Sequence, residues 1–320
     1  MHVLVGPNPM GLEKCLPALR DAYPEVTFSY CPNQADLPRE IADADIYWGW
    51  LSRELFLAAA RLKWMQSPSS GVDRFLAIPE LAQGEVILTS AVGTHAGCLG
   101  DSVMGMILAH TRGIVASALM KREHRWAGRD LRSHLVELTG ATMGIIGLGN
   151  VGRAVAKRAK AFDMRIIAVD RFSNAKPDDV AWLHGLEALP ELLAESDYVV
   201  VAVPYTHETS NLLGAEEFAQ MKPGAFLVGI SRGGIIVEAA LAQALKSGHL
   251  SVAALDVFSE EPLPQTSELW DLPNLIITPH IAGGTQYESQ HLAEIFDENL
   301  GRFLRGEFPL RNQVDKKRGF

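Results

Sequence analysis

The segment MGIIGLGNVGRAVAKRAKAFDMRIIAVD, from Met143 to Asp170, constrains the fold of this chain more than any other. It predicts a strand, a glycine-rich turn, a helix that begins near Val151 and a second strand that ends in an acidic residue. Gly147 permits a tight turn, Gly149 lets a phosphate approach the bare backbone, and Gly152 lets the helix pack closely on the strand. This order of elements predicts a dinucleotide-binding unit. The alternative is a glycine-rich structural turn in a doubly wound domain without a ligand.

The acidic residue at the end of the second strand indicates which dinucleotide is bound. Asp170 follows Gly152 by 18 residues, where a carboxylate can accept hydrogen bonds from the adenosine ribose hydroxyls. A carboxylate would repel a 2′-phosphate, so NAD(H) is expected rather than NADP(H). The neighbouring Arg171 opposes this preference, because a guanidinium accommodates such a phosphate.

Length and composition exclude several classes of protein. The 320 residues, 48% hydrophobic and 21% charged, predict a soluble protein of two domains. A net charge of −9 argues against nucleic acid binding, and the basic cluster from Lys316 to Arg318 is expected to be a solvated tail. There is no run of 18 apolar residues for a membrane span and no signal peptide. The three cysteines lack metal-ligand spacing, which predicts reduced thiols, no metal site and a cytoplasmic location.

Short apolar strands alternate with amphipathic helices along the chain, which predicts an α/β protein with doubly wound parallel sheets, Rossmann-like or flavodoxin-like. The predicted strands are HVLVG, VTFSYC, DIYWGW and EVILTS in the first part, and RIIAVD, YVVVAVP, AFLVGIS, VAALDV and LIITPH after the glycine turn. Four helices are predicted over Met10–Tyr23, Arg53–Leu62, Asp101–Trp126 and Gln286–Arg305. We expect a cofactor domain, residues 101–285, inserted in a discontinuous substrate domain, residues 1–100 and 286–320.

Polar residues follow three of the predicted strands in the second half. Arg232 follows AFLVGIS, Glu261 follows VAALDV and His280 follows LIITP. Doubly wound folds place their ligands at the carboxyl ends of strands. A guanidinium binds a substrate carboxylate, an imidazole exchanges a proton with a carbonyl oxygen, and a carboxylate holds the imidazole. Taken singly, the three residues could instead be a surface ion pair, a turn residue and a satisfied histidine.

Several long motifs extend this pattern over most of the chain. They are SSGVDRF, TMGIIGLGNVGRAVAKRAKAFDM, VPYTHETSNLLG, MKPGAFLVGISRGGIIVEAALAQAL, ALDVFSEEPLP and LPNLIITPHIAGGT. In these motifs and their order the sequence resembles the D-isomer-specific 2-hydroxyacid dehydrogenases, the family of D-lactate, D-glycerate, 3-phosphoglycerate and formate dehydrogenases. The match is weakest before Arg61.

The resemblance implies a role for each motif. Arg232, Glu261 and His280 occupy the family's catalytic positions, and Glu261 rather than Glu260 directly precedes Pro262 as the motif requires. Substrate binding is implied for Ser70, Gly71 and Val72, through their backbone N–H groups, together with Arg232 and His280. Cofactor contacts are implied for Asp256, which would hold the nicotinamide carboxamide, and for Gly147, Gly149, Asn150, Val151, Gly152, Asp170, Arg171, Pro204, Thr206, Thr209, Ser231, Arg232, His280 and Gly283. Thr209 has an equal alternative as a residue of a strand-terminating turn.

The sequence departs from the family pattern at three positions. Asp101 stands where glutamate is more common, Gly229 where asparagine is frequent before the catalytic arginine, and Tyr205 where an aliphatic residue is usual. None of these removes a catalytic group. In the segment DIYWGW, Trp48 and Trp50 are expected either to line the substrate site or to pack in the core.

The expected function is therefore the interconversion of a 2-oxo acid, glyoxylate- or hydroxypyruvate-like or bulkier, and its D-2-hydroxy acid with NAD(H). A His–Glu pair would supply the acid and base. The alternative is a non-catalytic NAD(H)-binding sensor or co-repressor on the same fold, and formate oxidation is disfavoured by Glu261. The apolar residues of the helix predicted from Asp101 to Trp126 exceed one buried stripe, so a homodimer through the cofactor domains is expected.

Overall fold

The computed structural model describes residues 1–172 and 175–319. Its strands are β1 His2–Val5, β2 Thr27–Tyr30, β3 Ile46–Trp48, β4 Trp64–Gln66, β5 Ile87–Thr89, β6 Thr142–Ile146, β7 Arg165–Val169, β8 Trp182–His184, β9 Tyr198–Val201, β10 Ala225–Gly229, β11 Leu250–Leu255 and β12 Leu275–Ile277. Its α-helices are α1 Leu16–Ala22, α2 Leu37–Glu40, α3 Arg53–Ala58, α4 Asp73–Leu76, α5 Pro79–Gln83, α6 Ala96–Thr111, α7 Ile114–Arg122, α8 Gly128–Arg132, α9 Asn150–Lys160, α10 Leu189–Glu195, α11 Ala215–Gln220, α12 Glu238–Lys246 and α13 Glu288–Arg305. Short 3-10 helices cover Leu12–Cys15, Ile41–Asp43, Leu186–Ala188 and Glu268–Asp271.

The chain forms two compact units, of which the first is discontinuous in sequence. Unit 1 comprises Met1–His95 and Thr285–Phe320, and unit 2 comprises Ala96–Gly284. The sequence-based limits were residues 1–100 with 286–320, and 101–285. Each unit is built on one parallel sheet with helices between most successive strands, so the predicted α/β fold class is confirmed.

Unit 1 contains a five-stranded sheet in the order β2-β1-β3-β4-β5, and every pair of neighbours is parallel. Helix α13 returns after unit 2 and packs its apolar face on this sheet. Trp48 stacks on Phe296 of α13 with the ring centroids 4.4 Å apart, and its side chain has no exposed surface. The expectation that Trp48 contacts substrate is therefore wrong, because its ring is fully buried in the core of unit 1. Trp50, two residues later, stays partly exposed and stacks on Phe75 of α4.

Unit 2 contains a seven-stranded sheet in the order β12-β11-β10-β9-β6-β7-β8. Strand β6 lies between β7 and β9, so the strand order reverses beside it. Strands β6, β9 and β10 are buried along their whole length, as expected for central parallel strands covered on both faces. Ligands of open parallel sheets bind outside the carboxyl ends of the strands at such a reversal. The glycine turn after β6 therefore lies at the ligand-binding position of unit 2.

The long helix predicted from Asp101 to Trp126 is wrong, because two helices cover this segment. Helix α6 ends at Thr111, α7 begins at Ile114, and their axes differ by 62°. Gly113 separates them with a φ of +64°, a left-handed conformation that ends a helix. Within residues 1–172 and 175–319, no single helix is long and apolar enough to cross a membrane, and only this bent pair, taken together, has the length and composition.

The basic C-terminal segment is also more ordered than the sequence indicated. The Nζ atom of Lys316 donates hydrogen bonds to the backbone carbonyl oxygens of Leu81, Gly84 and Val86, at 2.8, 2.8 and 2.7 Å. Two of these carbonyls belong to the end of α5 and the residue after it, where carbonyl groups have no partner within the helix. Burial lowers the pKa of Lys316. The predicted solvated tail is thus an attachment of the C-terminus to unit 1.

Asp45, just before β3, is a buried carboxylate that stabilises unit 1. It is 3% exposed, accepts a hydrogen bond from His2 N at 2.9 Å, and pairs with Lys63 and Arg61 at 3.1 and 3.3 Å. Burial alone would raise the pKa of Asp45. The hydrogen bonds from His2 and Lys63 and the two positive charges outweigh burial, and they lower the pKa to about 2.

Replacing Asp45 with Asn should lower the free energy of unfolding by about 1–3 kcal/mol at neutral pH, because a buried charged partner is lost. The folded pKa of Asp45 lies below its unfolded value of about 3.9, so this stabilisation is complete above about pH 5 and declines as the pH falls towards about 2. Urea unfolding of both proteins should give a difference that is constant between about pH 5 and 8 and smaller near about pH 3. The exposed Asp21→Asn on α1 serves as the control. If the difference in the free energy of unfolding between the two proteins did not shrink near about pH 3, the ionic origin of the stabilisation by Asp45 would be contradicted.

Candidate active site

The glycine turn after β6 has the geometry that its sequence requires. Gly147 has a φ of +96° and donates its N–H to Val169 O of β7 at 2.8 Å. A Cβ on Gly152 would lie 2.1 Å from Gly147 O, so only glycine lets α9 start this close to the strand. Gly149 precedes α9, and a Cβ there would meet no atom within 4 Å. Gly149 and Asn150 are exposed at the start of α9, which leaves room beside the helix N-terminus for the pyrophosphate of a dinucleotide.

The carboxylate after β7 holds the glycine turn from the other side. Asp170 Oδ2 accepts a hydrogen bond from Leu148 N at 2.7 Å, and Oδ1 accepts one from Phe172 N at 2.8 Å. The neighbouring Arg171 forms an ion pair with Glu208 and lies over the ring of Phe172. Asp170 is half-buried, whereas Arg171 is exposed. The carboxylate is thus built into the turn, and the guanidinium is already paired.

The loop after β9 carries the predicted residues Pro204, Thr206 and Thr209. Thr209 Oγ1 donates to Pro204 O at 2.6 Å and accepts from Thr206 N at 2.8 Å. Thr209 is 8% exposed, so its hydroxyl serves the turn itself. Pro204 is exposed and Thr206 is half-buried. The structure thus shows the structural role of Thr209 that the sequence left open, and a cofactor contact of this residue stays a prediction.

The loop after β10 brings Ser231 and Arg232 to the carboxyl edge of the sheet. Arg232 Nη1 donates to Ser231 O at 2.8 Å, and both residues are half-buried. Gly233 touches the loop after β11 so closely that a Cβ would lie 1.9 Å from Phe258 O. Gly229 is equally constrained, since a Cβ would lie 2.7 Å from Ile236 Cδ1. The departure at Gly229 is therefore explained by packing against the segment after Arg232.

The departures at positions 205 and 101 also have visible contacts. The hydroxyl of Tyr205 lies 3.3 Å from Ser210 Oγ, and its ring borders Gly234, which has a φ of +78°. Asp101 Oδ1 accepts a hydrogen bond from Arg158 Nε at 2.6 Å, which joins α6 to α9. Neither departure disturbs the Arg232 loop.

Glu261 and His280 are in direct contact. Glu261 Oε2 lies 2.7 Å from His280 Nδ1, and Glu261 Oε1 accepts a hydrogen bond from Phe258 N at 3.0 Å. The side chains of His280 and Glu261 are 45% and 24% exposed, so solvent and small molecules reach the imidazole. With Nδ1 held by the carboxylate, Nε2 is the ring atom that faces outward for proton exchange.

Asp256 fixes the loop on which His280 lies. Its carboxylate is 1% exposed and accepts hydrogen bonds from Thr278 Oγ1 at 2.6 Å, Ile281 N at 2.9 Å and Ala282 N at 3.0 Å. The carbonyl of Asp256 also accepts from His280 N at 2.9 Å. His280 itself has a φ of +54°, a left-handed conformation rare for a residue with a side chain. The hydrogen bonds that Asp256 accepts hold the backbone of His280 in this left-handed conformation. A carboxamide contact of Asp256 stays a prediction.

In unit 1, the predicted substrate-binding loop follows β4. Ser70 Oγ donates to Ala91 O at 3.0 Å and lies 3.1 Å from His95 Nδ1. Over the part of the chain that the structure describes, the backbone N–H groups of Ser70, Gly71 and Val72 donate to no residue. Ser70 and Gly71 are half-buried and Val72 is 3% exposed. Consecutive N–H groups without an acceptor can together bind a carboxylate.

Some residues that support these loops were not expected from the sequence. Glu238, at the start of α12, accepts a hydrogen bond from Ser259 N at 2.6 Å and so holds the loop of Glu261. Gly283 O accepts a hydrogen bond from Cys98 Sγ of α6 at 3.0 Å. His95 is a further unexpected partner in unit 1. The only sequence signal for Glu238 and His95 is their position just after a candidate loop, which many residues share.

A family model matches unit 2. The model described as D-isomer specific 2-hydroxyacid dehydrogenase, NAD binding domain, matches residues 104–282. This range contains the glycine turn, Asp170 and the loops of Arg232, Glu261 and His280. The predicted NAD-binding domain type is thereby confirmed.

Relatives and solved structures cover nearly the whole chain. A glyoxylate reductase from Thermococcus gammatolerans is 35% identical over 293 residues, 87% of this chain and 86% of the relative. The structure of a D-isomer specific 2-hydroxyacid dehydrogenase from Xanthobacter autotrophicus Py2 with NADPH and MES covers 99% of both chains with 31% identity and a TM-score of 0.85. The NADPH-dependent glyoxylate/hydroxypyruvate reductase from Sinorhizobium meliloti, solved with NADP and sulfate, covers 100% of both chains with 29% identity and a TM-score of 0.86. The chain therefore belongs to the D-isomer specific 2-hydroxyacid dehydrogenase family, oxidoreductases that act on CH–OH groups with NAD or NADP.

Proposed function

We propose that this protein reduces a 2-oxo acid of the glyoxylate or hydroxypyruvate class, or a bulkier one, to its D-2-hydroxy acid, with His280 and Glu261 as the acid–base pair. The contact of 2.7 Å between Glu261 Oε2 and His280 Nδ1 carries this proposal. The reductase names of the relatives in Thermococcus gammatolerans and Sinorhizobium meliloti support the substrate class.

The proposed proton transfer takes place at His280 Nε2. Glu261 accepts a hydrogen bond from Nδ1–H and so orients the ring, which leaves Nε2–H to donate to the carbonyl oxygen as it becomes an alkoxide. In the oxidation direction, the neutral ring accepts the proton at the same atom. Arg232 supplies a planar, permanently charged fork for the substrate carboxylate and the polarised carbonyl.

The free N–H groups of Ser70, Gly71 and Val72 are proposed as a further binding site for the substrate carboxylate. The open glycine turn and the half-buried Asp170 fit a dinucleotide, for which Gly147, Gly149 and the first turn of α9 would hold the pyrophosphate. When bound, NADH supplies the hydride. We further propose that the enzyme acts in the cytoplasm, which its three cysteines, none of them in a disulfide, support.

Replacing His280 with Ala should reduce kcat by a factor of roughly 10² to 10⁴, the usual effect of losing a positioned acid. The Kd for NADH, measured by fluorescence titration, should stay within about 2-fold, because His280 lies outside the glycine turn. Glu261→Gln keeps a hydrogen-bond partner for Nδ1 and removes the negative charge beside the ring, so kcat should fall, but by less than in His280→Ala. His184→Ala, at the end of β8, is the matched histidine control. An unchanged kcat in Glu261→Gln, or near-normal turnover in His280→Ala, would exclude this pair.

The cofactor preference should be NADH over NADPH. Asp170 would repel a 2′-phosphate, and the pairing of Arg171 with Glu208 reduces the charge available to attract one. The comparison is kcat/KM for both cofactors with the same 2-oxo acid. Similar proteins were solved with NADPH and NADP, so the ratio of the two kcat/KM values is the deciding measurement. Equal values or a preference for NADPH would contradict the proposed preference for NADH.

The protein should be a homodimer through unit 2. Helix α7 buries none of its residues, and Ile114, Val115 and Leu119 are 56%, 40% and 56% exposed. An apolar face of this kind on an inserted cofactor domain suits a second copy of the chain. Sedimentation equilibrium should give about twice the chain mass of 34.9 kDa.

The dimer surface is tested by Leu119→Asp, which should shift the protein to the monomer because a charge would be buried in the interface. Leu57→Asp on α3 is the control, since Leu57 is 58% exposed and lies in unit 1. A monomeric wild-type protein at micromolar concentration, or dissociation by the control alone, would contradict this surface.

A further inference from the structure

A polar cluster in unit 1 surrounds His95, which the proposed catalytic set does not use. His95 Nδ1 lies 3.1 Å from Ser70 Oγ and 2.9 Å from Thr94 Oγ1. On the other edge of the ring, Nε2 lies 3.3 Å from Glu288 Oε1, at the start of α13. The side chains of His95 and Glu288 are only 14% and 26% exposed, so the ring is held inside the unit.

The cluster joins the substrate-binding loop to the loop after β5. Ala91 O accepts hydrogen bonds from Ser70 Oγ at 3.0 Å and from Thr94 Oγ1 at 2.8 Å. In return, Ala91 N donates to Ser69 O at 3.0 Å. The side chain of Ser70 is therefore fastened to the loop after β5 and, through His95, to α13.

We infer that His95 is a positioning residue, which orients Ser70 and thereby the free N–H groups of Ser70, Gly71 and Val72. This inference rests on the proposed function of that loop in binding the substrate carboxylate. Loop N–H groups bind an anion well only when their directions are fixed beforehand, because ordering a loop on binding costs conformational entropy. The imidazole supplies this fixation by connecting three segments that are distant in sequence, around Ser70, Thr94 and Glu288.

The kinetic consequence of this role is a change in KM with little change in kcat. The substrate carboxylate is not altered by the reaction, so contacts with it are equally strong in the ground state and the transition state. Loss of such uniform binding raises KM alone. A loss of the acid–base pair, in contrast, lowers kcat, so the two roles are separable.

Three variants of His95 identify which edge of the ring matters. His95→Ala should raise KM for glyoxylate by about 5- to 20-fold, the effect of one misplaced hydrogen bond, with kcat within about 2-fold. Asn places a polar atom where Nδ1 lies, so the KM of His95→Asn should lie close to the wild-type value. Gln reaches the position of Nε2 instead, so His95→Gln should not. Rescue by Gln but not by Asn would show that the contact with Glu288 is the important one, and would overturn the inference.

A matched control comes from a second serine–histidine contact in the same unit. His2 Nε2 lies 2.6 Å from Ser29 Oγ, on β1 and β2 and away from the loop of Ser70. His2→Ala removes a contact of the same type and should leave the KM for glyoxylate unchanged. An equal rise in KM for His2→Ala and His95→Ala would reveal general destabilisation of unit 1.

A double-mutant cycle tests whether His95 acts through Ser70. Ser70→Ala alone should raise KM, and adding His95→Ala to it should produce little further rise, because the connection is already broken. Independent, multiplicative effects of the two substitutions would contradict the inference. The dissociation constant of oxalate from the enzyme–NADH complex should follow the same pattern as KM.

A readout that does not depend on turnover separates this inference from the proposed function. Backbone 15N order parameters of Ser70, Gly71 and Val72 should be lower in His95→Ala than in wild type, restored in His95→Asn, and unchanged in His2→Ala. If the wild-type protein reduces no 2-oxo acid with either cofactor, the proposed function fails, and the order parameters still decide whether His95 orders the loop. If the protein is active but neither KM nor the order parameters respond to His95→Ala, the inference alone fails.

Discussion

A single buried carboxylate, that of Asp256, determines where the candidate acid–base group stands. It accepts hydrogen bonds from Thr278, Ile281 and Ala282, which bracket His280 on the loop after β12. A buried carboxylate without partners is very costly, so the loop has a strong reason to keep these bonds. The left-handed backbone of His280 is the local cost of this arrangement. Only because this loop is fixed can Glu261, on the neighbouring strand end, meet the imidazole at 2.7 Å.

Close backbone approaches then fix the remaining loops of unit 2. Gly152 lets α9 start against Gly147, and Gly233 lets the Arg232 loop lie against Phe258 O. Both approaches leave no room for a Cβ. Phe258 N in turn donates to Glu261, so the loops after β10 and β11 share one contact region. The candidate chemistry is thus supported by glycines and a buried acid that touch no reacting atom.

The sequence predicted those features that depend on local pattern. The strands of both sheets except β4 and β8, the glycine turn and the strand-end positions of Arg232, Glu261 and His280 follow from periodicity and motif spacing. Strands β4 and β8 were not predicted. The failures have specific causes. The break between α6 and α7 occurs at Gly113, a signal that was present but was outweighed by the apolar pattern around it. The burial of Trp48 depends on Phe296, and the hydrogen bond of His95 joins it to Glu288, 193 residues away. Contacts between such distant residues leave no periodic trace in the sequence.

Asp170 shows how one side chain can serve structure and selectivity together. Its two oxygens accept the N–H groups of Leu148 and Phe172, so the carboxylate already holds the turn on which the pyrophosphate is proposed to lie. Each carboxylate oxygen has a second lone pair, which leaves capacity for ribose hydroxyls. Replacing this residue to change the cofactor preference would therefore also release Leu148 and loosen the glycine turn. In the proposed function, selectivity for the adenosine end and the shape of the phosphate site would consequently be properties of one hydrogen-bond network, and a change in the first would reach the second through the N–H of Leu148.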